Sequence, residues 1–250
     1  MKIAILIDGA FFLNRARIIW GNLKPDKAAD QLIRYCKAHI QKSQEMNREA
    51  ILYRIFYYDC LPAEFQTQHP LTGETIFYHK TESSKWRISF IEALKTKRKT
   101  AIRLGKMDSK NPTWTLKGRP LTKLLKNNIT IEDIKATDVQ LELRQKGVDM
   151  KIGLDISSMS YKKQVEQMIL IAGDSDFVPA AKTARREGID FILDPMWLPI
   201  KAELNEHIDG LRSMIDKPDK DGNFNGHIYL KTNPADKFIK AYKKKKTNDI

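Results

Sequence analysis

Asp174 and Asp176 stand two residues apart in Gly173-Asp174-Ser175-Asp176-Phe177, directly behind the apolar run Gln167-Met168-Ile169-Leu170-Ile171-Ala172. The same design opens the chain, where Lys2-Ile3-Ala4-Ile5-Leu6-Ile7 ends in Asp8-Gly9. A further carboxylate, Asp149, lies in Lys146-Gly147-Val148-Asp149, ahead of the helical pattern Ile152, Ile156, Met159. Two carboxylates about 4 Å apart repel by roughly 4 kcal/mol at an effective dielectric near 20. Four on one spot therefore call for a divalent cation, and hard cations prefer carboxylate oxygens.

Both apolar runs read as fully buried strands, which deliver their aspartates to the carboxyl edge of a sheet, where open α/β folds place their ligand crevice. If the strands of Asp8 and Asp174 are neighbours in a parallel sheet, all four acids can converge. Each also has a plainer role. Asp8-Gly9 is common turn chemistry, Asp176 can cap the helix beginning near Val178, and Asp149 at a helix start can serve the macrodipole alone.

The rest of the chain is legible as alternating elements. Helical spacing runs from Phe11 to Trp20 and again from Pro25, with Ala28, Leu32, Tyr35, Cys36 and Ile40 on one face. Ile51–Tyr57 is a second strand that ends at Tyr58-Asp59, and Pro62–Thr75 reads as loop. Ser84 is the expected cap of a helix from Lys85 to about Lys99. Ala101–Gly105 and Thr113–Lys117 read as a hairpin turning at Ser109-Lys110-Asn111-Pro112, and Thr137–Arg144 as a strand. A helix over 148–159, the strand ending at Gly173, a helix from Val178 to Arg186, a strand over Ile189–Leu193 and a helix from Lys201 to Ser213 complete the pattern. Strands separated by helices imply a three-layer α/β/α arrangement with a mostly parallel central sheet.

The chain has 250 residues and a net charge of +13. Residues 80–126 carry +11 and residues 231–250 carry +5, so the remainder is slightly acidic. A basic helix-hairpin insertion (about 80–126) on an acidic core suits a polyanion-processing protein, with cations for the backbone and carboxylates for a metal. Lys85, Arg87, Lys97, Arg98, Arg103 and Lys106 are the candidate contacts, with Trp86, Phe90 and Trp114 interleaved as stacking platforms or as core. A solvated lysine-rich face and tail are the plainer alternative. The organisation expected is one domain over 1–213, followed by a turn-rich segment and Lys-rich tail over 214–250. Cys36 and Cys60 have no zinc-type spacing and read as buried small residues. The first apolar run is too short for a signal peptide or membrane span, which predicts an intracellular, cytoplasmic protein.

Ile7-Asp8-Gly9, Lys146-Gly147-Val148-Asp149 with Gly153-Leu154-Asp155-Ile156, and Gly173–Pro179 with Ala184-Arg185-Arg186-Glu187-Gly188 together resemble the NYN domain in its LabA-like branch. The likeness runs in order from residue 1 to about 213. It implies a PIN-like fold whose acids, carried over as Asp8, Asp149, Asp174 and Asp176, bind Mg²⁺ or Mn²⁺ and cleave RNA. Many relatives have Asn two residues after the first glycine, where this chain has Phe11.

The reaction so implied is metal-assisted phosphodiester hydrolysis. Asp59, at the end of the second strand, is a further candidate acid. Asp155 lies six residues beyond Asp149, roughly 240° around a helix, which makes it a structural or supporting group. Lys146 and Arg185 are candidate phosphate contacts. Ser175 has no histidine beside it in a nucleophile motif. A non-catalytic RNA- or protein-binding module on the same fold is the second reading, and self-association is left open. A haloacid dehalogenase-type phosphatase needs an Asp at position 10, where the chain has Ala10.

Overall fold

The computed structural model describes residues 1–109, 112–143 and 145–231. The first apolar run forms β1 (Lys2–Asp8), buried from Ile3 through Ile7. Asp8 caps the next helix, α1 (Gly9–Trp20), accepting from Phe11 N at 3.1 Å. Pro25 opens α2 (Pro25–Met46), where its missing N–H costs nothing. β2 (Ile51–Cys60) is buried from Ile55 onward.

The stretch expected as loop holds a small antiparallel ribbon, β3 (Gln66–Gln68) with β4 (Thr75–Phe77), turned by Gly73 at φ 69°. The following helix, α3 (Glu82–Lys95), begins earlier than Ser84. Thr81 is its cap, accepting from Ser84 N at 3.3 Å, and Lys99 lies beyond its end at φ 62°. β5 (Thr100–Met107) and β6 (Thr113–Leu116) do not pair as the expected hairpin. β5 joins β2 in parallel, whereas β6 pairs antiparallel with β7 (Val139–Glu142) beyond a helix, α4 (Gly118–Leu125). The physical reason is burial: Ile102 and Leu104 of β5 pack on the main core, which two-residue alternation alone did not distinguish from a ribbon. Part of the expected turn, Lys110 and Asn111, lies outside the described residues, as do Arg144 and the Lys-rich tail from 232.

β8 (Gln145–Lys146) pairs antiparallel with β5 and leads into α5 (Val148–Tyr161). β9 (Gln167–Ile171) is buried at every residue, α6 (Val178–Arg186) follows, and β10 (Asp190–Asp194) is buried from Phe191 to Asp194. The last expected helix is shorter than its periodicity suggested. α7 covers only Ala202–Glu206, because Gly210–Leu211 leaves the helix to extend the sheet as β11.

The seven strands lie in the order β11-β10-β9-β1-β2-β5-β8, all parallel except β8. One face buries Ile3, Ile5, Ile7 and Tyr57 against Phe12 of α1, Leu32 of α2 and Phe90 of α3. The other buries Ala4, Leu6 and Tyr58 against Ile152 of α5, Ala181 of α6 and Leu204 of α7. Alternate residues of fully apolar strands thus feed two cores. No helix among the described residues is long and apolar enough to cross a membrane. Cys36 and Cys60 are free and buried.

Residues after β11 pack into the first core. Met214, Ile215 and Ile228 are buried in it, and Ile215 bridges Ile228. Their anchor is Asp194, wholly buried, which accepts from the Tyr35 hydroxyl, from Ser213 Oγ at 2.7 Å and from Met196 N at 2.7 Å. His39 Nε2 lies 2.7 Å away. Burial holds the His39 imidazole below its ordinary pKa, so the ring is neutral and Nε2–H is the donor.

Candidate metal-binding active site

β1 has β9 on one side and β2 on the other, with Ile7 level with Ile171. From β1 the chain crosses outward to β2 and β5 over one face, then returns to β9 and β10 over the other. The carboxyl edge between β1 and β9 is therefore the topological switch point, where open sheets leave a crevice. Asp8 closes β1 there, and Gly173-Asp174 follows β9 at the same edge.

Two glycines permit the close approach. A Cβ on Gly9 would stand 2.5 Å from both Tyr57 Oη and the Tyr58 carbonyl, and one on Gly173 would stand 2.6 Å from the Phe11 ring. Asp174 caps a 3-10 turn over Ser175–Phe177, accepting from Asp176 N at 3.2 Å. Asp149 occupies the first turn of α5, entered through Gly147 at φ 79°.

The acids feel one another. Asp8 is pushed up to about 6, mainly by burial. The N–H groups of Phe11 and Ala10 oppose the rise, and the charges of Asp149 and Asp59 add to it. Asp149 is likewise raised, by burial and then by Asp174 and Asp176. Asp8 and Asp174 line one depression together with Phe11, Ser175, Leu198 and Lys201. Asp149 and Asp176 line a neighbouring groove between α5 and α6. Among the described residues, no three His, Cys, Asp or Glu stand grouped as ready ligands. The donor chemistry nonetheless fits a hard divalent cation, because Mg²⁺ keeps several waters and is commonly held by one or two carboxylates. Such an ion would also relieve the mutual repulsion that raises Asp8 and Asp149.

The remaining expected residues divide by location. Asp59 is wholly buried, accepting from Tyr57 Oη at 2.9 Å and Cys60 N at 2.7 Å and pairing with Arg87 at 3.2 Å. Burial raises its carboxyl, and Arg87 counteracts. Asp155 is held by the Tyr58 hydroxyl at 2.9 Å and by Arg103 Nε at 3.0 Å. Lys146 pairs with Asp108 at 2.6 Å. Arg185 lies away from the acids. It sits in the last turn of α6, which runs back from the carboxyl edge, and it donates to Asp209 at 2.8 Å and to the Glu206 carbonyl at 3.0 Å.

Of the basic candidates, Lys85 pairs with Glu82, Lys97 with Asp30, Arg87 with Asp59 and Arg103 with Asp155. Arg103 also lies over the Phe56 ring at 5.3 Å. Arg98 and Lys106 are exposed. Phe90 is core, and Trp86 stacks on it at 5.2 Å while donating to the Leu23 carbonyl. Trp114 packs edge-on against His69.

Lys201 is the site residue that sequence reasoning missed. Its Nζ donates to Ser175 Oγ at 3.1 Å. The available signal was positional: β10 lies next to β9, so the loop after β10 must border the same crevice.

Similarity at the level of structure is slight. A crystal structure of a protein of unknown function from Vibrio parahaemolyticus aligns over 86% of this chain and 93% of its own, at 14% identity and a TM-score of 0.42. No curated sequence shows significant similarity to the chain. The NYN domain model matches residues 2–196, from the first residue of β1 to just past β10 and across all four aspartates. The chain belongs to the NYN domain family, within the PIN-like nuclease superfamily.

Proposed function

We propose that the chain is an endoribonuclease of the LabA-like branch, hydrolysing RNA phosphodiester bonds with Mg²⁺ or Mn²⁺ held by Asp8, Asp149, Asp174 and Asp176. The observation that carries this reading is the meeting of Asp8 and Asp174 in one depression at the β1/β9 switch point, with Asp149 electrostatically coupled to both sides. The cation, when bound, supplies an activated water and counter-charge for the leaving oxygen.

The chain's own residues set the conditions for that chemistry. The Phe11 N–H fixes the Asp8 carboxylate, and the Asp176 N–H fixes that of Asp174. Burial of Asp8 favours its protonated form until a cation takes the proton's place. In this reading residues 1–213 form the catalytic domain, and Met214, Ile215 and Ile228 complete its first core. The segment 80–126, which gives that domain α3 and β5, is its most basic stretch, with Arg98 and Lys106 free of carboxylate partners among the described residues and thus available to RNA phosphates.

The test incubates wild type and Asp174→Asn with labelled single-stranded and hairpin RNA in Mg²⁺, Mn²⁺ or EDTA. Cleavage confined to wild type with metal is expected. The variant should lose more than about 100-fold, since even outer partners of metal ligands cost 10–100-fold. The separation of Asp149 and Asp176 into their own groove favours a second reading, a non-catalytic RNA- or protein-binding module. Tight binding without cleavage in either protein would select it.

A further inference from the structure

We propose that the depression between β1 and β9 is a nucleotide subsite, in which Lys201 positions a phosphate of single-stranded RNA beside Asp8 and Asp174 while Phe11 supports the attached base. The substrate class rests on the ribonuclease reading above.

The cations around this edge are mostly committed. Arg87, Arg103 and Lys146 each hold a carboxylate at 3.2, 3.0 and 2.6 Å. Lys201 differs, for its ammonium lines the acids' own depression and donates to a neutral hydroxyl, Ser175 Oγ, with no carboxylate in ion-pair range among the described residues. A phosphate oxygen is a stronger acceptor than a hydroxyl, so exchanging Ser175 for phosphate is favourable.

The loop that carries Lys201 is fixed rather than loose. Arg15 Nη2 donates to the Met196 carbonyl at 2.7 Å, Met196 N donates to Asp194 at 2.7 Å, and Trp197 Nε1 donates to the Ile215 carbonyl at 2.9 Å. Left-handed backbone at Met196 (φ 47°) and Trp197 (φ 65°) turns the loop back over the sheet edge. Lys201 is thus delivered by a braced segment.

The lining has two characters. Asp8, Asp174, Ser175 and Lys201 give the lining polar groups, and Phe11 and Leu198 give it apolar ones. A volume of about 340 Å³ is of the size of one nucleotide. Single strands are gripped in this way, with a cation on the backbone and an aromatic ring under the base.

The test measures binding of a labelled oligouridylate in Mg²⁺, using Asp174→Asn as the uncut parent. Adding Lys201→Met should weaken binding about tenfold and reduce the slope of log K against log salt by about 0.7, the release from one single-strand phosphate. Lys201→Arg should stay within about threefold of the parent, because the charge-assisted contact is retained. Ser175→Ala, which keeps the ammonium, should bind as the parent does. Phe11→Leu should weaken the oligonucleotide about fivefold but leave an abasic ribose-phosphate chain unchanged.

Equal losses in Lys201→Met and Ser175→Ala, with no change in salt slope, would mark a structural contact and overturn the subsite. If wild type cuts RNA but Lys201→Met leaves affinity, slope and KM unchanged, the subsite falls and the ribonuclease reading stands. If wild type cuts nothing while Lys201→Met still weakens binding and flattens the slope, the reverse holds. A parent that binds no RNA, with a wild type that neither binds nor cuts it, overturns both.

Discussion

The wholly buried Asp59 carboxylate pairs with the Arg87 guanidinium at 3.2 Å, close enough to Asp8 for the Asp59 charge to be felt there. Burial raises Asp59, Arg87 is the chief influence in the opposite direction, and Asp59 in turn raises Asp8. Arg87→Met leaves a buried charge without its partner, which costs about 3 kcal/mol at neutral pH. The deficit should shrink as pH falls and Asp59 takes up a proton. Denaturant unfolding at pH 7 and pH 5 checks this, and an equal loss at both would be contrary.

Asp8 gives the metal-free chain a defined pH dependence. Its carboxyl titrates near 6 when folded, against an ordinary 3.8. Between those values the folded chain keeps a proton that the unfolded chain releases, so stability falls as pH rises from about 4 to about 6 and levels off above. The cost is on the order of 3 kcal/mol at pH 7. Asp8→Asn keeps the cap and removes the charge. In EDTA it should melt higher than wild type at pH 7, with the difference gone at pH 4.

Metal should act in the opposite sense on the same group. At ten times its Kd, a divalent cation adds about 1.4 kcal/mol of stability. Below pH 6 protons compete for Asp8, and the gain should fade. Thermal melts with and without Mn²⁺ at pH 7.5 and pH 5 follow this directly. Asp8→Asn should lose most of the shift.

The two glycines of the crevice should differ in kind. Gly9→Ala meets the Tyr58 carbonyl and the buried Tyr57 at 2.5 Å, neither of which can retreat, and should cost about 2–3 kcal/mol. Gly173→Ala meets only the half-buried Phe11 ring, which can swing aside. Its melting temperature should change little, while RNA binding weakens because the ring is displaced from the depression beside Asp174.

Much of this site is legible in the sequence. Buried strands of unbroken apolar residues declare themselves, and each of β1 and β9 ends where the apolar run gives way to Asp. α6 was bounded by Val178 and Gly188, a start and a stop with clear chemistry. The partners of β5 were not legible, because short alternating segments carry no record of which neighbour covers them. The brevity of α7 was hidden for a similar reason: Gly210-Leu211 gains more by extending β10 than by prolonging a helix. Arg185 looked close to Asp176 along the chain, yet a helix running back from the sheet edge carries it roughly 13 Å away along its axis. Lys201 came from a loop with no motif, and only strand order could locate it.

Asp194 sets a condition on how the chain comes into being. A growing polypeptide that has emerged only as far as Asp194 already contains Tyr35 and His39, but Met196 and Ser213 are still to come. Its carboxylate is half-satisfied, and the outer edge of β10 is bare. Met196, the last residue of the NYN match, supplies one missing donor, and the stretch beyond the match supplies the other, the edge strand and the Ile215–Ile228 bridge. Synthesis must therefore pass residue 213 before Asp194 has all its donors, and residue 228 before the Ile215–Ile228 bridge closes over the first core.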